Sequence, residues 1–226
     1  MSATIELVLI NLDAVPQQAL ITHATSAERE AAARRRKPLD ARRFLARRVA
    51  MRSNLARILR RPPDAVPLTK DRLGRPIVAD SDLHISQSSR GGVMLAAFCA
   101  DRPVGCDLEE MRDDLDIDAV AALCFGPTER RLLRAAGPAA RLRAFYDCWT
   151  RKEAYLKATG TGMAVDMAAF ETTRRPGPPT RWGRVDWTSQ TWRPLPGYAA
   201  AVVARGTDWR LQHRSDATAL CAGFAA

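Results

Sequence analysis

The chain has 226 residues, 46% apolar and 27% charged, enough for one large domain or two small ones with a proper core. A formal net charge of +10 favours anionic partners, but only Lys37, Lys70, Lys152 and Lys157 of the 35 basic residues are lysines, a bias that GC-rich coding also produces. No apolar run approaches the ~18 residues of a membrane span, the start MSATIELVLINLDA carries no basic leader, and five scattered cysteines without a CxxC read as reduced thiols in a cytoplasmic protein.

In chain order, residues 4–10 (TIELVLI) read as a strand. Residues 29–61 read as helical and intensely basic, interrupted at Pro38 and ended by Pro62-Pro63. A loop at Gly74-Arg75-Pro76 precedes a strand near Leu83–Ser86, and GVMLAAFCA (92–100) is a buried-strand candidate. Asp101-Arg102-Pro103 then turns into Val104–Glu109, which predicts a hairpin. Helices are expected over Asp116–Leu123, Pro127–Ala136 and Ala139–Ala158, the last stopping at Gly160. Arg174–Arg181 reads as an exposed loop, and strands near Arg184–Trp187, Tyr198–Ala204 and Trp209–His213 finish the chain. PGYAAAVVARGTDWRL echoes GGVMLAAFCADRPVG; a duplicated unit or two ordinary buried strands accounts for it equally well.

Two segments carry candidate chemistry. In VGCDLEE, strand alternation points Val104, Cys106 and Leu108 one way and Gly105, Asp107 and Glu109 the other. Two carboxylates at i and i+2 reach one cation, and a neighbouring glycine admits a ligand close to the backbone; alone, the pattern equally describes a solvated acidic edge. In WTRKEAYLKATGTG, Trp149, Glu153 and Lys157 follow at one-turn intervals on one helix face. An exposed Glu–Lys pair would share that spacing, but Glu153 borders a row holding Leu142, Phe145, Trp149 and Leu156, where a carboxylate is costly unless paired or ligating. Two lysines so close together in an arginine-rich chain hint that the compact ammonium matters there. Three hard oxygen donors suit Mg²⁺, whereas His23, His84 and His213 are isolated and form no zinc pattern.

VGCDLEE and FYDCWTRKEAYLKATGTG resemble the two signature motifs of the 4'-phosphopantetheinyl transferase superfamily, G-[IV]-D-x-E and W-x-x-K-E-A-x-x-K, and the match is nearest the larger, surfactin-synthetase-activating type. The Arg43 helix, Gly74-Arg75-Pro76, HISQSS and Phe125-Gly-Pro-Thr-Glu129 follow the family order, so the resemblance runs from about Glu28 to Tyr198. It implies an α+β fold of two similar halves, 1–103 and 104–226, related by pseudo-two-fold symmetry, in a cytoplasmic monomer. It also implies transfer of 4'-phosphopantetheine from coenzyme A to a serine of an acidic acyl or peptidyl carrier protein, with Mg²⁺, releasing 3',5'-ADP. Asp107, Glu109 and Glu153 match the metal ligands, Lys157 the phosphate-contacting lysine, and Glu153 a candidate base. Arg43 and Arg75 match cations at the nucleotide end; Ser86 and Gln87 fall where the family has Ser-His, so a neutral donor replaces the histidine at the 3'-phosphate, which would lean on Arg43 or Arg90.

Two other readings use the same charge. A Mg²⁺-dependent nuclease needs carboxylates and a lysine, commonly two residues after the second acid, where this chain has Met111. A basic nucleic-acid-binding module uses residues 29–61 but leaves the three carboxylates without purpose. The resemblance implies neither a nucleic-acid nor a membrane partner.

Overall fold

A computed structural model describes residues 2–162, 165–172 and 187–214. The fold is α+β. The first strand, β1 (Ala3–Asn11), is followed by α1 (Gln17–His23), α2 (Ser26–Ala33) and the 22-residue α3 (Pro38–Leu59). Pro38 separates α2 from α3 by occupying the first turn of α3, where its missing N–H costs nothing. A short hairpin, β2 (Leu68–Lys70) and β3 (Pro76–Val78), then leads to β4 (His84–Arg90), β5 (Val93–Cys99) and β6 (Val104–Glu110). The second half contributes α4 (Ile117–Cys124), α5 (Pro127–Ala135), α6 (Pro138–Thr159), β7 (Trp187–Trp192), β8 (Tyr198–Arg205) and β9 (Trp209–Arg214).

Four layers result. One sheet has the order β4-β5-β1-β9 and the other β6-β8-β7. Strand alternation explains the packing between them. Val8 and Ile10 of β1 with Met94, Ala96 and Phe98 of β5 face α3, which buries Val49, Met51 and Leu55 against them. Ile5, Leu7, Leu95 and Ala97 point the other way and meet Cys106, Leu108, Val202 and Ala204 of the second sheet. The outer face of that second sheet, including Ala199, Ala201 and Val203, is covered by α6.

Several expectations are corrected. Val93–Cys99 and Val104–Glu110 do not form a hairpin: β5 pairs with β1 and β4, whereas β6 crosses to the other sheet and pairs with β8. The polar turn at 101–103 fits either route, and sequence near a turn does not say which sheet the next strand joins. A strand was expected to end at Trp187, but β7 begins there; residues 184–186 lie outside the described residues, as does the 174–181 loop. β9 pairs in parallel with β1, so the last described strand completes the sheet of the first half. The strand orders β4-β5-β1 and β7-β8-β6 correspond, and β1 and β6 each precede a long helix, α3 and α6. No helix among the described residues is long and apolar enough to cross a membrane.

The helical part of the first half is fastened by Glu28. Its carboxylate closes a capping box with Thr25 and accepts from Arg52 at 2.6 and 3.1 Å and from Arg48 at 2.8 Å. Burial pushes the Glu28 carboxyl up, but these hydrogen bonds outweigh it and hold the pKa at about 2. A depressed carboxylate stabilises the fold above its unfolded pKa and loses that contribution as pH falls. Stability should therefore drop by roughly 2–3 kcal/mol between about pH 5 and pH 2 through this group. Urea midpoints against pH test it: Glu28→Gln should be weaker at neutral pH and flatter across that window, and an unchanged slope would contradict the assignment.

Candidate active site

β6 and α6 build the site. Gly105 faces α6, and a Cβ there would lie 1.9 Å from the Ala154 carbonyl oxygen and 2.5 Å from the Ala158 nitrogen. The glycine thus admits a helix, not a ligand as its place in the motif suggested. That close approach sets Trp149, Glu153 and Lys157, one turn apart on α6, over Asp107 and Glu109 on the same face of β6.

Asp107 is 2% exposed. Its Oδ1 accepts from Lys157 Nζ at 2.6 Å and from Ser88 Oγ at 2.8 Å, while its buried Oδ2 has no hydrogen-bond partner. Glu109 accepts from Trp149 Nε1 at 3.3 Å and from the Arg90 guanidinium, whose Nη2 lies at 3.1 Å. Glu153 is half-buried with no hydrogen bond or ion pair among the described residues. Burial, followed by the charges of Asp107 and Glu109, raises its pKa; Lys157 and Arg90 oppose the shift. Lys157 therefore pairs across to Asp107 and not along the helix to Glu153. Burial acts to lower the Lys157 pKa, but the adjacent Asp107 outweighs it and the ammonium titrates above its usual range.

Two cavities flank this group. One, of about 310 Å³, is lined by Arg75, Ser86, Gln87, Glu153, Lys157 and Gly160 among others. Arg75 is braced by Asp71, at 3.1 Å from its Nε, and lies against Gly160, the left-handed cap of α6. Ser86 Oγ accepts from the Cys106 backbone N–H at 3.0 Å, joining β4 to β6. The other cavity, of about 560 Å³, includes Arg90, Glu109, Arg112, Tyr146 and Trp149.

The structure therefore gathers Asp107, Glu109, Glu153, Lys157, Arg75, Ser86 and Gln87, and it separates Arg43. That arginine lines neither cavity and forks onto Asp13, with Nε 2.8 Å from Oδ1. Arg90 turns to Glu109 and not toward Gln87. Lys152, the other lysine of the helix, is fully buried against Glu129 at 2.7 Å and donates to the Met167 carbonyl, tying α5 and the 167–172 segment to α6. Sequence reasoning missed Ser88, although period 2 along HISQSSR puts Ser86, Ser88 and Arg90 on one face.

Among the described residues, no three Asp, Glu, His or Cys side chains already stand at ligand spacing. The carboxylates are instead arranged with Lys157 and Arg90 supplying positive charge. The residues nevertheless fit a divalent cation: an orphaned buried oxygen on Asp107 and an unpaired Glu153 strained by two neighbouring anions both favour added positive charge. Burial drives the Cys106 thiol up to about 12, which leaves it protonated and no nucleophile.

The 4'-phosphopantetheinyl transferase superfamily matches residues 103–203, a span holding β6 and α6. The chain is 33% identical over 178 residues to the 4'-phosphopantetheinyl transferase HetI of Nostoc sp. (strain PCC 7120), covering 76% of this chain and 75% of HetI. It is 26% identical over 175 residues to the 4'-phosphopantetheinyl transferase Sfp of Bacillus subtilis (strain 168), covering 75% and 77%. Against the 4'-phosphopantetheinyl transferase gsp of Aneurinibacillus migulanus it is 30% identical over 131 residues, covering 58% and 54%.

Proposed function

This chain belongs to the 4'-phosphopantetheinyl transferase superfamily, and from that premise we propose how its own residues move phosphopantetheine from coenzyme A to a carrier-protein serine. Asp107 through Oδ2, Glu109 and Glu153 would hold Mg²⁺, which when bound neutralises phosphate charge and polarises the phosphorus. The observation that carries this reading is the placement of the three carboxylates on the surfaces that β6 and α6 turn to each other, with the buried Asp107 Oδ2 left without a partner.

Around them each residue takes a role its position supports. Lys157, on the cavity wall beside Asp107, meets the coenzyme phosphates. Arg75, Ser86 and Gln87 receive the nucleotide end; Arg43 would have to leave Asp13 to join them. Glu153, on the wall of the cavity that Lys157 also lines and without a partner among the described residues, takes the serine proton. The serine oxygen attacks the phosphorus bearing pantetheine, and 3',5'-ADP leaves. The net charge of +10 steers an acidic carrier protein toward the site. We further assign a cytoplasmic monomer whose halves, 1–103 and 104–226, are related by pseudo-two-fold symmetry, with β9 returned to the first half's sheet.

Incubation with coenzyme A, Mg²⁺ and a panel of apo-carrier proteins, read by intact mass, tests the reading. A phosphopantetheine adduct on the carrier serine, lost on adding excess chelator, is expected. No adduct on any acyl or peptidyl carrier, or an adduct indifferent to chelation, would overturn the metal-dependent transfer.

A further inference from the structure

The strand β4 belongs to one sheet and β6 to the other, and two serines join their edges. Ser86 binds the Cys106 N–H, and Ser88 Oγ lies 2.8 Å from Asp107 Oδ1 and 3.0 Å from Lys157 Nζ. With Lys157 Nζ itself 2.6 Å from Oδ1, the three groups close a triangle. Its hydrogen bonds have one consistent sense. An ammonium has no acceptor, so the hydroxyl accepts from Lys157; a carboxylate has no proton, so the hydroxyl donates to Asp107.

Both donors thus converge on Oδ1, and Oδ2 is buried with none. Lys157 alone would not fix that choice, because an ammonium on a flexible four-carbon stem follows either oxygen. Ser88, on a short side chain from a strand of the opposite sheet, fixes it. We propose that Ser88 is a positioning residue that turns Asp107 so that Oδ2 is its free oxygen, and thereby sets the affinity of the site for a divalent cation. This rests on the reading of Asp107 as a metal ligand.

The test is direct titration of the purified protein with Mn²⁺ alone, followed by the loss of the free-ion electron paramagnetic resonance signal. Removing an outer-shell partner of a ligand typically weakens metal binding by about 10–100-fold, and Ser88→Ala should fall in that range. Ser88→Thr keeps the hydroxyl and should return to within about threefold of wild type. The transfer assay should show the matching split: the Mn²⁺ requirement of Ser88→Ala rises while kcat at saturating Mn²⁺ stays within a few fold. Should the Ala variant lose its near-ultraviolet circular dichroism, Ser88→Cys, nearly isosteric with a weak donor, must show the weakening instead. Wild-type Mn²⁺ affinity in a folded Ala or Cys variant, with Asp107→Asn abolishing binding, would overturn the role of Ser88. Undiminished binding in Asp107→Asn would overturn the metal reading beneath it as well.

Discussion

Asp107→Asn should yield a folded protein whose carrier-modification rate has fallen by about 10²–10³-fold, in line with removal of one preorganised group from a transfer site. The substitution preserves shape and deletes the charge that both Lys157 and the cation would use. Its structural cost is moderate because the Lys157 side chain is 30% exposed, so water can solvate the released ammonium. Chemistry should therefore fall far more than stability. Initial rates by mass spectrometry beside a thermal melt separate the two, and wild-type activity in Asp107→Asn would remove the residue from the machinery.

Gly105→Val should damage both properties together. Even the first added carbon would stand 1.9 Å from the Ala154 carbonyl oxygen and 2.5 Å from the Ala158 nitrogen, and these are backbone atoms of a helix that cannot rotate aside. α6 must shift bodily. Overpacking of this kind costs about 1–3 kcal/mol and more when backbone must move. The shift also carries Glu153 and Lys157 away from β6, and a displacement of about 1 Å in a reacting group costs on the order of 10²-fold in rate. Gly105→Ala should show the same two losses in smaller measure. Wild-type urea stability and wild-type rate in either variant would show that α6 does not pack where it is described.

These effects also mark how far the sequence could be read. Period 2 in VGCDLEE set Asp107 and Glu109 on one strand face, and the one-turn spacing in WTRKEAYLK set Glu153 and Lys157 on one helix face, because such local geometry depends only on the element type. What the elements pack against is not local. The same alternation that sorted the strand faces left Gly105 open to a ligand or a helix, and only the packing of α6 decides. The turn at 101–103 could begin a hairpin or a crossing between sheets, and β6 crosses. Lys152 and Lys157 lie five residues apart, yet one is locked under α5 by Glu129 and the other faces the site; their hundred-degree steps around the helix sent them to different neighbours. Ser88 was hidden for the same reason: its partners come from β6 and α6, 19 and 69 residues away.

The most direct test is diffraction from crystals grown with coenzyme A and Mn²⁺, using the manganese anomalous signal to locate the ion. One peak should appear where β6 faces α6, touched by Asp107 Oδ2, Glu109, Glu153 and the coenzyme pyrophosphate. A pyrophosphate bound elsewhere, or an ion that leaves those three carboxylates to Lys157 and Arg90, would contradict it.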